Sequence, residues 1–279
     1  MTDLPIRVSV KKLPTKLGHK IVHIQAGSTR QVFTIHEDLL CAQSPYFRRK
    51  LQANRLPIEG DCPICHEELQ PHVKDIVFCT STCGGNIHAD CLMQWLRKKA
   101  ECPLCRTMWA KHTNRSHPCP DLDEISFAIY CEWVYSRHIA VGNALDGDEI
   151  ESSSDHYQLV NAYLLGIRLE DSKFCTAILD SFLELDIDNG SYPGSGSIHA
   201  AYKNTEGPCV LRRFLVDLYV AADDGDWFEE QNWEDYPAEF MKDLTIALFR
   251  ERRQTQGWRL TEMKEKYREL VEAEAAVVN

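Results

Sequence analysis

Polar and apolar positions alternate in two short β-branched runs, Ile21-Val22-His23-Ile24 and Gln31-Val32-Phe33-Thr34-Ile35. With Gly27-Ser28-Thr29 between them, they predict a hairpin. Asp38 to Cys41 and Ser44 to Leu51 then read as two short helices. Ser44 is the N-cap of the second, with Pro45 at its first position. From Asp61 to Arg106 the periodicity gives way to a cluster of cysteines. Helical spacing resumes around Leu122 and runs through Ile125, Phe127, Ile129, Trp133 and Val134 to Tyr135. Gly142 to Asp155 reads as a solvated loop, and Asp188 to Ser197, with Gly190, Pro193, Gly194 and Gly196, as a linker. Further helices are predicted over Tyr157–Leu165, Lys173–Leu185, Val210–Ala221 and Pro237–Arg252, with a tail over Leu260–Ala275. In that tail Leu260, Met263, Tyr267, Leu270 and Val271 share a face, and Glu262 and Lys266 form an i,i+4 pair. No internal repeat is evident.

An apolar share of 44% with 26% charged residues is that of a globular chain. No run of about 18 apolar residues occurs, and no apolar segment follows basic residues at the start, so neither a membrane span nor a signal peptide is expected. Of 12 cysteines, seven lie between Cys62 and Cys105, while Cys41, Cys119, Cys131, Cys175 and Cys209 stand singly. Clustered pairs without a signal peptide point to metal in a reducing compartment, cytoplasm or nucleus, rather than to a disulfide framework. The net charge of -11 is uneven. Residues 1–60 carry 10 Lys+Arg against 4 Asp+Glu, and residues 107–279 carry 16 against 32. So acidic a C-terminal part argues against nucleic acid as the main partner.

The cluster reads Cys62-x2-Cys65, Cys79-x3-Cys83, His88-x2-Cys91, Cys102-x2-Cys105. Each short-spaced pair is able to turn two side chains onto one ion, and zinc favours four thiolate or imidazole ligands in a tetrahedron. Eight ligands therefore make two closed sites with no open position for catalysis. A segment this short has little core of its own, so metal must supply much of its folding free energy. Spacing leaves open whether the pairs bind consecutively or interleave. His66 and His72 are spare ligands, read as surface residues. His112, His117 and Cys119 lack a fourth partner and read as a plain loop.

The segment resembles a RING finger. That resemblance implies a cross-brace, with Cys62, Cys65, His88 and Cys91 on one zinc and Cys79, Cys83, Cys102 and Cys105 on the other. Cys83, after a three-residue gap, departs from the commonest RING pattern, and the ligand order is shared with PHD fingers, which read histone tails. A PHD finger places an aromatic two residues before its last cysteine pair, where this chain has Ala100. A RING carries an apolar residue within the first pair, a Trp in the helix after the sixth ligand and Pro within the last pair. Here these are Ile64, Trp95 and Pro103. By the same resemblance these three form an apolar patch that docks a ubiquitin-conjugating enzyme. Arg106 matches the linchpin that bridges that enzyme and ubiquitin. Each also has a structural reading: Ile64 and Pro103 as knuckle formers, Trp95 as the finger's core, Arg106 as a solvated cation.

The flanks resemble a BTB/POZ domain of the type common in fungal proteins. Phe33-Thr-Ile-His36-Glu-Asp-Leu-Leu-Cys41-Ala-Gln-Ser-Pro-Tyr-Phe47 matches its strand-then-helix opening, and Ile129-Tyr-Cys-Glu-Trp-Val-Tyr135 its third helix, with a turn at Ser136–Ile139. Tyr157 to Leu185 fits its closing helix pair, and Leu211 to Tyr219 a helical extension. The fold expected is α+β. A mainly helical BTB/POZ-like scaffold with a small sheet occupies 17–60 and 107–187, a RING finger is inserted at 61–106, and a helical extension fills 198–279. The acidic-aromatic stretch Asp223 to Glu239, with Trp227, Phe228, Trp233 and Tyr236, reads as aromatics packed on helices with carboxylates in water.

The two resemblances together imply a RING-type ubiquitin ligase with two zinc ions, a conjugating enzyme and a protein substrate as partners, and a BTB-like part that dimerises or holds substrate. A cullin is a further partner the BTB resemblance implies, although the insertion falls within the surface that would meet it. A non-catalytic interaction scaffold and a PHD-like histone reader are the competing expectations.

Overall fold

The computed structural model describes residues 18, 20–71, 73–110, 116–142, 155–189, 192–221 and 233–255. His72, His112, Trp227, Phe228, nearly all of the Gly142–Asp155 loop and the Leu260–Ala275 tail lie outside them. Two compact units are present, Met1–Asn189 and Gly190–Asn279.

The first unit opens with a hairpin of β1 (Ile21–Ala26) and β2 (Gln31–His36), in register from Ile21 opposite His36 to Ala26 opposite Gln31. The turn needs a left-handed residue, which Gly27 supplies at φ 72°. Along β1, Val22, Ile24 and Ala26 are buried, as period-2 alternation requires. Helices α1 (Glu37–Gln43) and α2 (Pro45–Leu51) follow directly. The Ser44 hydroxyl accepts from Phe47 N at 3.2 Å, capping α2 as its sequence predicts. The same hydroxyl donates to Leu169 O at 2.8 Å.

The chain then leaves for the cysteine-rich finger, which contains β3 (Ile76–Phe78), β4 (Asn86–His88) and α3 (Ala89–Leu96). It returns as β5 (Ser116–Cys119), which pairs in parallel with β1, giving the sheet order β2-β1-β5. The finger is therefore an excursion between two parts of one sheet. This strand corrects the expectation of a plain loop around His117 and Cys119. Ser116-His-Pro-Cys has no β-branched alternation to announce it, and the edge position tolerates Pro118.

Three helices close this unit: α4 (Glu124–Ser136), α5 (Asp155–Leu169) and α6 (Ser172–Asn189). Asp123 caps α4 through Ser126 N at 2.8 Å, and Arg137 ends it in the left-handed region at φ 64°. The core is aromatic. Phe127 meets Phe33 edge-on at 5.0 Å, and Tyr130 meets Phe174 edge-on at 4.9 Å. Tyr130 Oη donates to Asp171 Oδ2 at 3.1 Å, while Asp171 Oδ1 accepts from Phe174 N at the start of α6. One buried carboxylate thus satisfies both a tyrosine and a helix terminus.

The second unit comprises α7 (Ser195–Lys203), α8 (Val210–Ala221), a short 3-10 turn (Trp233–Asp235) and α9 (Ala238–Thr255). The linker expected over Asp188 to Ser197 is helical at both ends, since α6 reaches Asn189 and α7 starts at Ser195. Burial of Ile198, Ala200, Ala201 and Tyr202 overrides the poor helix propensity of the Gly/Ser start. Tyr219 packs edge-on to Phe240 at 5.0 Å, and Tyr236 is buried against the same ring. The described end of the acidic-aromatic stretch therefore packs inward. Arg212, also buried, donates to Glu239 Oε2 at 2.7 Å and to Tyr202 O at 2.8 Å.

Candidate metal centre

Two turns of identical build hold the first and last cysteine pairs. In one, His66 N donates to Cys62 O at 2.9 Å and Cys62 N to Glu67 O at 2.8 Å. In the other, Arg106 N donates to Cys102 O at 2.9 Å and Cys102 N to Thr107 O at 2.8 Å. His66 and Arg106 occupy the same left-handed position, each at φ 60°, immediately after the second cysteine. Each turn is closed by a bridge, Asp61 with Glu68 and Glu101 with Met108. The sequence shows the kinship directly, as Cys62-Pro-Ile-Cys65-His66 and Cys102-Pro-Leu-Cys105-Arg106.

Local geometry decides the pairing that spacing left open. Cys62, Cys65, His88 and Cys91 bring their ligand atoms within 4.8 Å of one another, as do Cys79, Cys83, Cys102 and Cys105. First and third pairs share one site, second and fourth the other, which is a cross-brace. Both sites are suited to zinc. Sγ–Sγ separations of 3.9 Å (Cys79–Cys105) and 3.8 Å (Cys83–Cys102) match the ~3.8 Å edge of a tetrahedron with Zn–S bonds of ~2.3 Å, and are far beyond a disulfide. At the other site His88 Nδ1 lies 3.3 Å from Cys65 Sγ, while the buried Nε2 finds no hydrogen-bond partner among the described residues. The finger is thus built around two zinc ions held by these eight residues. With four protein ligands each, the sites are structural.

Thiol electrostatics agree with a role as metal ligands. Burial pushes Cys91 and Cys102 up to about 12, whereas the Thr107 hydroxyl and backbone N–H hold Cys105 down at about 6. Metal binding must therefore displace protons from the first two.

Leu69, Ile76, Ile87, Leu92 and Trp109 form the small apolar core around the ligands. Trp109 was not among the residues that the sequence singled out. It lies four positions past the last ligand, and its N donates to Ala100 O at 3.0 Å, which closes the second turn. Its presence removes the need for Trp95 to be the core. Trp95 is only half-buried on α3, its Nε1 donating to Glu101 O at 2.8 Å and its ring covered on one side by Lys99 Nζ at 5.1 Å. Ile64 and Pro103 are also half-buried, one on each turn, and Arg106 is exposed. His66 is exposed too, as a non-ligand should be. A cleft of about 520 Å³ lies elsewhere, where α1 and α2 face the finger, lined by Cys41, Arg48, Arg55, Leu56, Pro57 and Ile76 among others.

Comparison with known proteins places the likeness in the finger. A Putative RING-H2 finger protein ATL69 of Arabidopsis thaliana is 36% identical over 73 residues, 26% of this chain and 44% of that protein. A Probable E3 ubiquitin-protein ligase ZFP1 of Oryza sativa subsp. japonica is 48% identical over 51 residues, 18% of this chain and 9% of that one. RING-H2 finger protein ATL5 of Arabidopsis thaliana is 32% identical over 62 residues, 22% and 23% of the two. The chain spans less than half the length of these relatives. No solved structure matches it. Among the described residues no helix is long and apolar enough to cross a membrane. Residues 60–106 match the family model described as Ring finger domain, and this segment carries that family's cross-brace of two zinc sites.

Proposed function

We propose that this chain is a RING-type ubiquitin ligase. The observation that carries the reading is a division of labour between two tryptophans. Trp109 fills the finger's core, which leaves Trp95 half-exposed with its indole pinned in place, ready to anchor a partner. Partly exposed aromatic anchors of this kind supply much of the binding energy at protein interfaces. Ile64, Trp95 and Pro103 dock a thioester-charged conjugating enzyme, and exposed Arg106 holds the donor ubiquitin against it. Similarity to proteins named as RING-H2 fingers and as a probable E3 ubiquitin-protein ligase supports the same reading.

Such a ligase forms no covalent intermediate, and both zinc sites are closed, so the finger acts by position. It restricts a flexible thioester to the poses from which a lysine amine attacks, with the entropy supplied in advance by docking. Zinc holds the two turns in register and thereby sets the spacing of Ile64, Trp95, Pro103 and Arg106.

The flanks serve as a BTB/POZ-like scaffold, spanning 17–60 and 107–187, that dimerises or holds substrate. The strand-helix-helix opening, the finger inserted after α2 and the return of the chain to the same sheet at β5 support that assignment. The extension over 198–279 offers a further surface on its described helices α7 to α9, and a cullin is a partner the scaffold could take. The reading belongs to the cytoplasm or nucleus, where free ubiquitin and reduced thiols are found. Discharge of a charged conjugating enzyme onto free lysine, measured for the wild-type chain and Arg106→Ala, tests it. Equal rates would contradict the role given to Arg106.

A further inference from the structure

An inserted finger is ordinarily pictured on flexible tethers, but on its incoming side this one has no slack. Asn54 Nδ2 donates to Cys79 O and Thr80 O, each at 3.2 Å. Leu56 N donates to Gly84 O at 3.0 Å, and Asn86 Nδ2 donates to both Leu56 O and Pro57 O at 3.0 Å. The approach is so close that a Cβ on Gly84, itself at φ 67°, would sit 1.7 Å from Asn54 O. The incoming segment is laid onto the loop between β3 and β4, which delivers Cys79 and Cys83 to one zinc site, while β4 carries His88 to the other.

Arg55 ties that assembly to the helices. Its side chain is 10% exposed. Nε donates to Asn86 Oδ1 at 3.0 Å, Nη2 to Ile76 O at 3.2 Å, and Nη1 to Asp38 Oδ1 on α1 at 3.0 Å. The guanidinium also lies over the Phe78 ring, 4.9 Å from its centroid. Asp38 is held in turn by Gln52 Nε2, which also reaches Glu37. A fork of fixed geometry that spends two arms on the finger and one on α1 sets an angle as well as a distance, which a lysine could not do.

We propose that Arg55 is a positioning residue that fixes the finger's orientation on its scaffold, and thereby selects which lysines receive ubiquitin. This rests on the ligase reading above. Arg55 touches neither zinc ligands nor the proposed docking residues, so it acts on where ubiquitin goes, not on how readily the thioester reacts.

The test uses the full zinc-loaded chain with Arg55→Ala and, as a milder lesion confined to the scaffold side, Asp38→Ala. Three readouts are needed: hydrogen exchange over 52–58 and 76–88, discharge of charged conjugating enzyme to free lysine, and the map of self-ubiquitinated lysines. Both variants should retain two zinc ions and discharge to free lysine within about twofold of wild type, while exchange at Leu56 rises about tenfold or more and the lysine map redistributes. Unchanged exchange and an unchanged map in an active wild-type background would overturn the proposal. So would an equal fall in free-lysine discharge, which would make Arg55 a support of the finger's fold alone. A wild-type chain inactive with every conjugating enzyme would remove the ligase reading and this inference with it. Raised exchange in the variants would then still mark a mechanical clamp, so the two failures remain distinguishable.

Discussion

Trp95 Nε1 donates to the carbonyl of Glu101 at 2.8 Å, tying α3 to the residue that precedes the last pair of zinc ligands. The bond fixes the indole plane relative to the turn bearing Pro103 and Arg106, so the proposed docking surface and the proposed linchpin form one rigid piece.

The two finger tryptophans should fail in different ways. Trp109→Ala should cost about 3–5 kcal/mol and loosen zinc, because it removes the largest buried side chain from the finger's core. Trp95→Ala should keep both zinc ions yet weaken binding of a conjugating enzyme by about 2 kcal/mol or more, roughly 30-fold. Zinc content by mass spectrometry and enzyme affinity by calorimetry separate them.

Arg106 stands at φ 60°, a conformation that suits glycine. Arg106→Gly should therefore leave zinc affinity unchanged or slightly higher while abolishing stimulated discharge. If the glycine variant stayed active, the residue would be a turn former and nothing more.

Protons compete with zinc in a direction that the thiols dictate. Metal draws Cys91 and Cys102 below their metal-free values near 12, so both are thiolates at neutral pH only with zinc bound. A group whose bound-state pKa is depressed contributes stability that is present at higher pH and lost as pH falls. Titration of zinc into metal-free chain near neutral pH should release protons. Holoprotein should shed zinc as the solution is taken to about pH 5 and below.

Asp171→Ala should destabilise the first unit by about 1–3 kcal/mol, since it leaves the Tyr130 hydroxyl unpaired in the core and removes a helix cap. Chemical denaturation followed by the aromatic signal of the α4–α6 core measures this. Zinc content should not change, because Asp171 touches no ligand.

What the sequence made legible followed from how local each signal was. Ligand spacing announced two zinc sites because each pair lies within five residues, and Ser44-Pro45 announced α2 because capping is a nearest-neighbour affair. β5 was hidden because its partner β1 lies across the whole finger, and Ser116-His-Pro-Cys has no pattern of its own. α7 was obscured by glycine and serine at a start whose helicity comes from buried Ile198 and Tyr202. Trp109 and Arg55 were missed for the same reason. Nothing nearby in sequence shows that one fills the core between ligands contributed from 62 to 105, or that the other spans α1, β3 and β4.

The most direct measurement is single-turnover discharge of a panel of ubiquitin-charged conjugating enzymes to free lysine by the zinc-loaded chain, repeated with Trp95→Ala, Arg106→Ala and after chelation. Stimulation by the wild-type chain with at least one enzyme is expected, as is its loss in both variants and on zinc removal. Zinc-replete wild-type chain that stimulates none, or variants that stimulate as well as wild type, would contradict the ligase reading.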